Sequence, residues 1–418
     1  MVHKYSELDL MQARIKEVPK GWSFLPIAKA FKIRNDLRKP ISDEIRSTQQ
    51  GIYPYYGPTK IQDYINTYEQ DGSFALIGED GDHFLKYRSQ SMTQLVDGKC
   101  TVNNHAHIIE GTDLASREWF YYYFMHRDIY SYLSRQGAGR YKLNKASLEK
   151  IYVLIPPSEE QKKITQILST WDQAISATEK LLKNSQEQKK ALMQQLLTGK
   201  KRLLDENGVR FSGEWKKVKF SALGKCIRGV SYKPEDICLE RSESTVRLLR
   251  STNIQNGILN NQELVILPKK LIKPNQYLQD GDLAICMANG SKTLVGKSAI
   301  YSETKELYTV GAFCAIFRPL NVSNKIFVKF VFESESYKQQ ISVILAGSSI
   351  NNLKGSDIES LLISIPTEIK EREEIANVLL IADQEIESLR KKIDFLKQEK
   401  KALMQQLLTG KKRVKVAV

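Results

Sequence analysis

The stretch Lys189-Lys-Ala-Leu-Met-Gln-Gln-Leu-Leu-Thr-Gly-Lys-Lys-Arg202 recurs without a single change as residues 400–413. The two copies start 211 residues apart, which is about half of the 418-residue chain. Fourteen identical residues of mixed type do not recur by chance, and self-similarity at a fixed period is the signature of a repeated architecture. The sequence therefore predicts a chain built from two copies of one plan.

The repeat extends upstream of the identical stretch. Residues 143–156 align with residues 353–366, and residues 164–175 align with residues 375–386. Each half also opens in a similar way, with Gly21-Trp22 in the first and Glu214-Trp215 in the second. In contrast, residues 35–135 and 232–340 are unlike each other. A shared frame with unrelated inserts indicates one task performed on two different targets.

Each repeat ends in a predicted long helix. Apolar residues alternate at four-and-three spacing from Ile164 to Leu196 and from Ile375 to Leu407, which is typical of a coiled coil. A helix of about 40 residues is about 60 Å long and would be poorly buried alone. We expect the two helices to pair with each other as an antiparallel coiled coil. The alternative is that each helix packs on its own globular domain.

Both inserts combine short apolar runs with Gly and Asn turns, which predicts strands in mixed α/β domains. Residues 74–78 and 105–109 are strand-like in the first insert, as are residues 283–287 and 312–317 in the second, whereas residues 119–126 predict a buried helix. The predicted fold class is α/β of the mixed α+β kind, with a pseudo-two-fold internal repeat. The predicted domains are 1–155 and 206–365, and the predicted helical segments are 156–205 and 366–418.

The composition favours a polyanionic partner. The net charge is +15 and the isoelectric point is about 9.3, which favours nucleic acid over the alternative of an acidic protein. The five cysteines are scattered and form no Cys-x-x-Cys pair, so we expect reduced thiols and a cytoplasmic location. We also expect no membrane span and no signal peptide.

Catalytic motifs are missing from the sequence. There is no Asn/Asp-Pro-Pro-aromatic motif of an adenine methyltransferase, no Gly-x-Gly-x-x-Gly loop and no Pro-Asp pair of a restriction nuclease. The glycines at 290 and 296 are separated by five residues, whereas a P-loop has four. His105 and His107 share one strand face and could ligate a metal, but polar packing or a DNA contact is the favoured interpretation. We therefore expect no catalytic residue, no metal and no cofactor in this chain.

This frame resembles the specificity (S) subunit of Type I restriction–modification systems. The resemblance rests on the Trp openings, the segments ending Ile-Pro at 155–156 and 365–366, and the repeated Leu-Met-Gln-Gln-Leu-Leu-Thr-Gly-Lys helix ends. Residues 51–57 and 103–107 look like one type of target recognition domain, and residues 249–254 look like another. One departure is that Glu159-Glu160-Gln161 becomes Ile369-Lys-Glu371 in the second copy.

The resemblance implies a non-catalytic subunit with two target recognition domains, each reading half of a bipartite, asymmetric site in double-stranded DNA. The helices would set the spacing between the half-sites. Two modification subunits would dock on the repeated surfaces and bring S-adenosylmethionine, and restriction subunits would bring ATP and Mg²⁺.

The candidate DNA contacts are basic, amide and tyrosine residues in loop-like parts of the inserts. In the first insert they are Tyr55, Tyr56, Lys60, Arg88, Asn103, Asn104, Arg140 and Lys142, and in the second they are Arg247, Arg250, Asn253, Lys292, Lys297, Asn351 and Asn352. The candidate contacts to partner subunits are Leu192, Met193, Leu196, Leu403, Met404 and Leu407.

Two other functions stay open at this point. A self-contained nuclease or methyltransferase would require the missing motifs, and cofactor binding by the isolated chain would support it. A coiled-coil interaction scaffold without a DNA role would fit the helices, but the inserts are basic.

Overall fold

The structure, a computed structural model, describes residues 5–136, 140–255, 257–302, 304–347 and 351–416. The chain divides into two compact units. The first unit comprises Met1–Glu179 and Lys391–Val418, and the second comprises Lys180–Arg390. Each unit thus contains one insert and half of each long helix. The domain boundaries predicted from the sequence follow the helices instead, and they stay a prediction.

The first unit is built around a six-stranded sheet with the strand order β2-β7-β5-β6-β3-β4. Strands β3 and β6 run parallel, and the other neighbours run antiparallel. Its helices are α1 (Glu7–Gln12), α2 (Ile27–Ala30), α3 (Asp43–Thr48), α4 (Arg117–Phe124), α5 (Lys145–Lys150) and the start of α6 (Ser158–Leu196). Its strands are β1 (Ser23–Pro26), β2 (Lys32–Ile33), β3 (Gln50–Tyr56), β4 (Ile61–Ile65), β5 (Gln70–Gly78), β6 (Thr93–Val102), β7 (Ala106–Glu110), β8 (Ser134–Gln136), β9 (Arg140–Lys142) and β10 (Tyr152–Ile155).

The second unit contains two different sheets, ordered β12-β20-β17-β18 and β16-β13-β19. Its strands are β11 (Trp215–Lys219), β12 (Gly224–Arg228), β13 (Thr245–Leu249), β14 (Ile254–Gln255), β15 (Ile258–Leu259), β16 (Val265–Pro268), β17 (Leu283–Cys286), β18 (Ser298–Ile300), β19 (Tyr308–Val310), β20 (Cys314–Pro319) and β21 (Leu362–Pro366). Its helices are α7 (Lys325–Glu333), α8 (Glu335–Ala346), α9 (Gly355–Ser360) and the start of α10 (Ile369–Leu407). The predicted mixed α/β class is confirmed.

The frame shared by the two repeats has the same structure in both units. An antiparallel pair brings the opening of each repeat against its Ile-Pro segment, as β1 with β10 in the first unit and as β11 with β21 in the second. The two long helices begin directly after these pairs, and each is 39 residues long. The unlike sheets of the inserts are therefore attached to one conserved pair of strands and one conserved helix.

The long helices pair antiparallel within each unit. In the first unit Lys397 of α10 contacts Glu179 of α6, and in the second Glu385 of α10 accepts a hydrogen bond from Ser185 of α6. Residue numbers rise along one helix as they fall along the other, as antiparallel partners require. The supercoil expected from the heptad spacing stays a prediction.

The identical helix ends are buried in the two cores. Leu407 and Leu408 belong to the aromatic core of the first unit together with Trp119, and Leu196 and Leu197 belong to the core of the second together with Phe220. Complete burial of one leucine stabilises a fold by roughly 1.5–3 kcal/mol. The end of each repeat thus completes the core around the beginning of the other repeat.

An ion pair with a buried glutamate accompanies each helix end. Arg202 makes a two-pronged contact with Glu371 at 2.5 and 2.7 Å, and Arg413 makes the same contact with Glu160 at 2.6 Å for both prongs. Arg413 corresponds to Arg202 in the repeat. Glu371 makes the contact that Glu160 makes in the first unit, so the alignment of Glu371 with Gln161 that the sequence indicated is wrong by one residue. Each guanidinium also lies over a tryptophan ring, Trp215 in the second unit and Trp22 in the first.

A second pair of equivalent lysines joins the helices further along. Lys189 contacts Asp383 at 2.6 Å and Glu333 at 2.8 Å, while its counterpart Lys400 contacts Asp172, which also accepts a hydrogen bond from Tyr122. Burial lowers the pKa of Lys189, but Glu333 and Asp383 outweigh it and raise that pKa above its ordinary value. Lys189, Arg202 and the buried leucines all belong to the fourteen identical residues. Contacts inside the chain therefore account for part of the identity.

The glycine of the repeated Thr-Gly-Lys is required by geometry. Gly199 and Gly410 both have positive φ, at 70° and 69°, which favours glycine at a helix end. A Cβ atom on Gly199 would lie 3.1 Å from the Trp215 ring, and one on Gly410 would lie 2.5 Å from Pro19. Glycine at this position therefore lets the chain turn so that Arg202 and Arg413 reach their glutamates.

One residue near the start of each long helix differs between the two copies but makes the same hydrogen bond to a proline carbonyl. Gln161 donates to the carbonyl of Pro156 at 2.8 Å, and Arg372 donates to the equivalent carbonyl of Pro366 at 2.7 Å. Arginine thus replaces glutamine with the same backbone partner. Gln161 also pairs with Ser116 of the first insert, which is a contact specific to that half.

We expect Arg202→Ala to destabilise the second unit selectively. It leaves the Glu371 carboxylate, which is 0% exposed, without its cation. Breaking a buried pair in this way costs about 3–5 kcal/mol. Amide hydrogen exchange in β11 and β21 should accelerate by about 100-fold or more, whereas exchange in β1 and β10 should not change.

The matched controls are Lys201→Ala, an exposed neighbour, and Arg413→Ala, which should act on β1 and β10 instead. Equal exchange in β11 and β21 for wild type and Arg202→Ala would refute the role of this pair.

Candidate nucleic-acid interface

Three loops and one strand of the first unit contact one another. This first loop cluster comprises residues 56–62, 79–82, 103–105 and β9. Asn103 donates its backbone amide to Tyr56 and its side-chain amide to Gln62, at 3.0 and 2.8 Å. The backbone amide of Glu79 donates to His105 at 2.8 Å, which joins the second loop to the third. Residues distant in sequence therefore present one surface.

Ion pairs around the carboxylate of Glu79 hold this cluster together. Glu79 contacts Arg38 and lies 3.3 Å from Lys142 and 3.8 Å from His107. Burial raises the pKa of Glu79, but the hydrogen bond from Arg38 and the charges around it outweigh burial, so the pKa lies below its ordinary value. The ionised carboxylate therefore holds Lys142 of β9 against the loop at 79–82.

Two histidines of the first insert, His105 and His107, already have polar partners. Burial lowers the pKa of His107, so its ring is neutral; one nitrogen lies 2.7 Å from the carbonyl of Leu143 and the other 2.9 Å from the Asn35 amide. His105 lies 2.7 Å from Asp80 at the surface. In the part of the chain that the structure describes, no group of three or more His, Cys, Asp or Glu could hold a metal ion.

The structure brings several of the predicted DNA contacts of the first insert together. Lys60, Asn104 and Arg140 are exposed in the first loop cluster, and Lys142 and Tyr56 are half-buried there. The adjoining residues 137–139 of the predicted basic loop lie outside the described residues.

Three predicted contacts of the first insert are placed differently. Tyr55 is 1% exposed and its hydroxyl accepts the Ile41 amide, and Asn103 is buried and hydrogen-bonded within the cluster. Both therefore support the surface and do not form it, because their polar atoms are already used. Arg88 lines a groove of about 1240 Å³ together with Lys401 and His126.

A second loop cluster forms in the second unit from residues 250–253, 288–292, 311–313 and 351–352. The backbone amide of Asn289 donates to Asn351 at 3.3 Å, and the side-chain amide of Asn351 donates to Gly290 at 2.9 Å. The side chain of Asn289 reaches Ser251 at 3.4 Å, and Ala288 forms a β-bridge with Asn352. Hydrogen bonds of amide side chains therefore join the loops of this surface, whereas ion pairs with Glu79 join those of the first.

Four predicted contacts of the second insert reach the surface of this cluster. Arg250, Lys292 and Asn352 are exposed, and Asn351 is half-buried. Lys292 also donates to the Leu345 carbonyl at 3.3 Å.

The other three have structural contacts. Asn253 is 2% exposed and its side-chain amide donates to Gln262 at 2.7 Å, so it holds the loop and is not available to a ligand. Arg247 pairs with Glu306 at 3.0 Å. Lys297 is half-buried, and its carbonyl accepts the Cys286 amide.

The predicted partner contacts are mostly interior. Leu196, Met404 and Leu407 are buried in the cores described above, and Leu192, Met193 and Leu403 are half-buried against them. The three buried residues cannot contact a partner subunit, because their side chains are already enclosed by the chain itself. The exposed members of the repeated segment include its glutamine pairs, Gln194-Gln195 and Gln405-Gln406, and the lysines at 190, 200 and 201 with their counterparts at 401, 411 and 412.

Sequence reasoning missed Gln62, Ser251, Asn289 and Phe313 as members of the loop clusters. Phe313 lies in the apolar run 312–317, which predicts a strand through its whole length, but the strand begins only at Cys314. The Gly-Ala step before Phe313 is the signal that could have indicated a turn.

His83 should make the stability of the first unit sensitive to acid. Its ring is buried beneath the first loop cluster, where burial lowers its pKa to about 4 from an ordinary value near 6.5. Between these two values the unfolded chain binds a proton that the folded chain does not, so stability falls as the pH decreases. Acidification from pH 7 to 5 should cost about 2 kcal/mol through this residue.

Urea unfolding of His83→Gln at both pH values tests this. The variant should lose less stability on acidification than wild type, whatever its stability at pH 7. His105→Gln, at an exposed position of the same cluster, should retain the full acid sensitivity. An unchanged pH dependence in His83→Gln would contradict the assignment.

None of the helices within the described ranges combines the length and the apolar character that crossing a bilayer demands.

Residues 19–188 match the model of the Type I restriction modification DNA specificity domain. The chain is 33% identical over 196 residues to the EcoKI specificity subunit of Escherichia coli, a match that covers 47% of this chain and 42% of that relative. This match therefore spans less than half the length of that relative.

Two further comparisons extend over nearly the whole chain. The MjaVIII specificity subunit of Methanocaldococcus jannaschii is 25% identical and is aligned over 98% of this chain and 97% of its own length. The fold is similar to the crystal structure of the Type I S subunit from M. genitalium, with a TM-score of 0.62 at 13% identity over 96% of this chain and 98% of that one. The chain is thus similar to Type I restriction–modification specificity subunits, and residues 19–188 carry the match to their DNA specificity domain.

Proposed function

We propose that this chain is the DNA-recognition subunit of a Type I restriction–modification complex and that each of its units reads one half of a bipartite, asymmetric site. The observation that carries the proposal is the pairing of one conserved frame with two unlike loop clusters. Two different surfaces on equivalent frames suit two different half-sites. The net charge of +15 supports a DNA partner.

Within this function the two clusters would contact DNA in two ways. Lysine and arginine side chains contact phosphates and set the position of the protein on the duplex, while amide side chains read base edges in the major groove. Lys60, Arg140 and Lys142 are the proposed phosphate contacts of the first cluster. Asn104 of the first cluster and Asn351 and Asn352 of the second are the proposed base contacts.

The chain would act without a catalytic site of its own. In the proposed complex two modification subunits carry S-adenosylmethionine, and restriction subunits carry ATP and Mg²⁺. The repeated glutamine pairs Gln194-Gln195 and Gln405-Gln406 are exposed at equivalent places and are the proposed contacts for two copies of one partner. The helices α6 and α10 would set the spacing of the half-sites, and the expected cytoplasmic location stays a prediction.

Methylome sequencing tests the proposal directly. Cells that express this chain with its cognate modification subunit should acquire adenine methylation at a bipartite motif. Replacing residues 232–340 with another insert should change one half of the motif and leave the other half intact. No new methylation, with a modification subunit shown to be active beside another specificity chain, would refute the DNA-recognition function.

We expect Lys60→Ala to weaken DNA binding equally at specific and non-specific sequences. Each phosphate contact contributes about 0.9 to the slope of log affinity against log salt concentration, so that slope should decrease in magnitude by about 1. Titration of the complex with duplex DNA at several salt concentrations provides the measurement.

Lys29→Ala is the matched control, since Lys29 is exposed on α2 outside the first loop cluster. A Lys60→Ala slope equal to that of wild type would remove Lys60 from the interface.

A further inference from the structure

Phe313 is a large apolar side chain displayed on a rigid turn. Its residue is 71% exposed, whereas Cys314, its neighbour at the start of β20, is buried. Its carbonyl accepts hydrogen bonds from Met287 at 2.8 Å and from Ala288 at 3.2 Å. These two bonds fix the residue against the loop that carries Asn289.

The backbone on either side of Phe313 is equally constrained. Gly311 donates to Leu249 at 2.9 Å, and Cys314 donates to Gly311 at 2.8 Å to close the turn. Gly229 approaches so closely that a Cβ atom on it would lie 2.1 Å from the Gly311 carbonyl oxygen. The constrained backbone of this turn therefore keeps the aromatic ring outside the core.

Hydrogen-bonding side chains surround this turn. Ala288, which donates to Phe313, is bridged to Asn352 and is followed by Asn289. Asn289 contacts Ser251, the residue after the exposed Arg250. An aromatic ring beside amide groups, with a cation at the margin, matches the chemistry of nucleobases, which have an apolar face and polar edges.

We propose that Phe313 contacts the face of a base at an unstacked step in the half-site read by the second unit, while the neighbouring amides contact base edges. This inference rests on the proposed function. Apolar side chains inserted between base steps partly unstack them. Because the backbone of the turn is already constrained, ordering it on binding costs little entropy. Phe313 would then contribute to specificity by favouring sequences in which this base step unstacks easily.

The duplex for the test carries the bipartite motif found by methylome sequencing, with 2-aminopurine placed in turn at each step of the second half-site. Binding of the wild-type complex should raise the fluorescence at one step, because the fluorescence of 2-aminopurine increases on unstacking. Phe313→Ala should abolish this rise and weaken binding by about 10- to 100-fold, the range of one lost base–aromatic contact. Phe313→Tyr should preserve both the rise and the affinity within about threefold.

Leu239→Ala is the matched control, since Leu239 is 99% exposed in the same unit, in the loop between β12 and β13. It should bind and fluoresce as wild type does. Phe313→Ala with wild-type affinity and a wild-type fluorescence rise would overturn the proposal. So would a Phe313→Ala complex that has lost affinity for the modification subunit but not for DNA, since Phe313 would then be a protein contact.

The proposed function and the role of Phe313 are contradicted by different outcomes. A wild-type complex that methylates no bipartite site would refute the proposed function together with the role of Phe313. A Phe313→Ala complex that methylates its site as rapidly as wild type would leave the proposed function intact and overturn this inference alone.

Discussion

The fold depends on two arginine–glutamate pairs, each with a buried glutamate, that join the end of one repeat to the start of the long helix of the other. Glu160 and Glu371 are enclosed at the starts of α6 and α10, and a buried carboxylate without a partner is costly. Arg413 and Arg202 supply the missing charge from the far ends of the opposite helices. Each unit is therefore complete only when it contains a segment from both halves of the sequence.

This constraint explains where the chain varies and where it repeats. The pairs β1–β10 and β11–β21, the helix starts and the helix ends must fit one another inside each unit, so the frame has the same structure in both copies and its helix ends keep the same residues. The inserts meet the frame mainly through buried aromatic residues such as Trp119 and Phe332, and their loop clusters have no counterpart in the other half. Sheets as different as β2-β7-β5-β6-β3-β4 and β12-β20-β17-β18 can then occupy equivalent places.

Much of this architecture could be predicted from the sequence because it is periodic. Helices α6 and α10 follow from heptad spacing, and strands such as β5 and β17 follow from short apolar runs between turns. The ion pairs could not be predicted, since Arg202 and Glu371 are separated by 169 residues and only folding brings them together. For the same reason Tyr55 and Asn253 are typical surface residues by composition and yet are buried, because hydrogen bonds to Ile41 and Gln262 satisfy their polar groups.

The two loop clusters differ in composition, and on the proposed function this gives the half-sites different modes of recognition. In the first cluster Lys60, Arg140 and Lys142 lie among the carboxylates of Glu79, Asp80 and Asp82, and Glu79 holds Lys142 in place. In the second cluster Arg250 and Lys292 are exposed beside amides and Phe313. Cations gain affinity by releasing counterions from phosphates, so binding of both half-sites should depend on salt. Affinity for the second half-site should also depend on base identity, because amides contact base edges and Phe313 contacts a base face, and the equivalent frames would hold both half-sites to a single spacing.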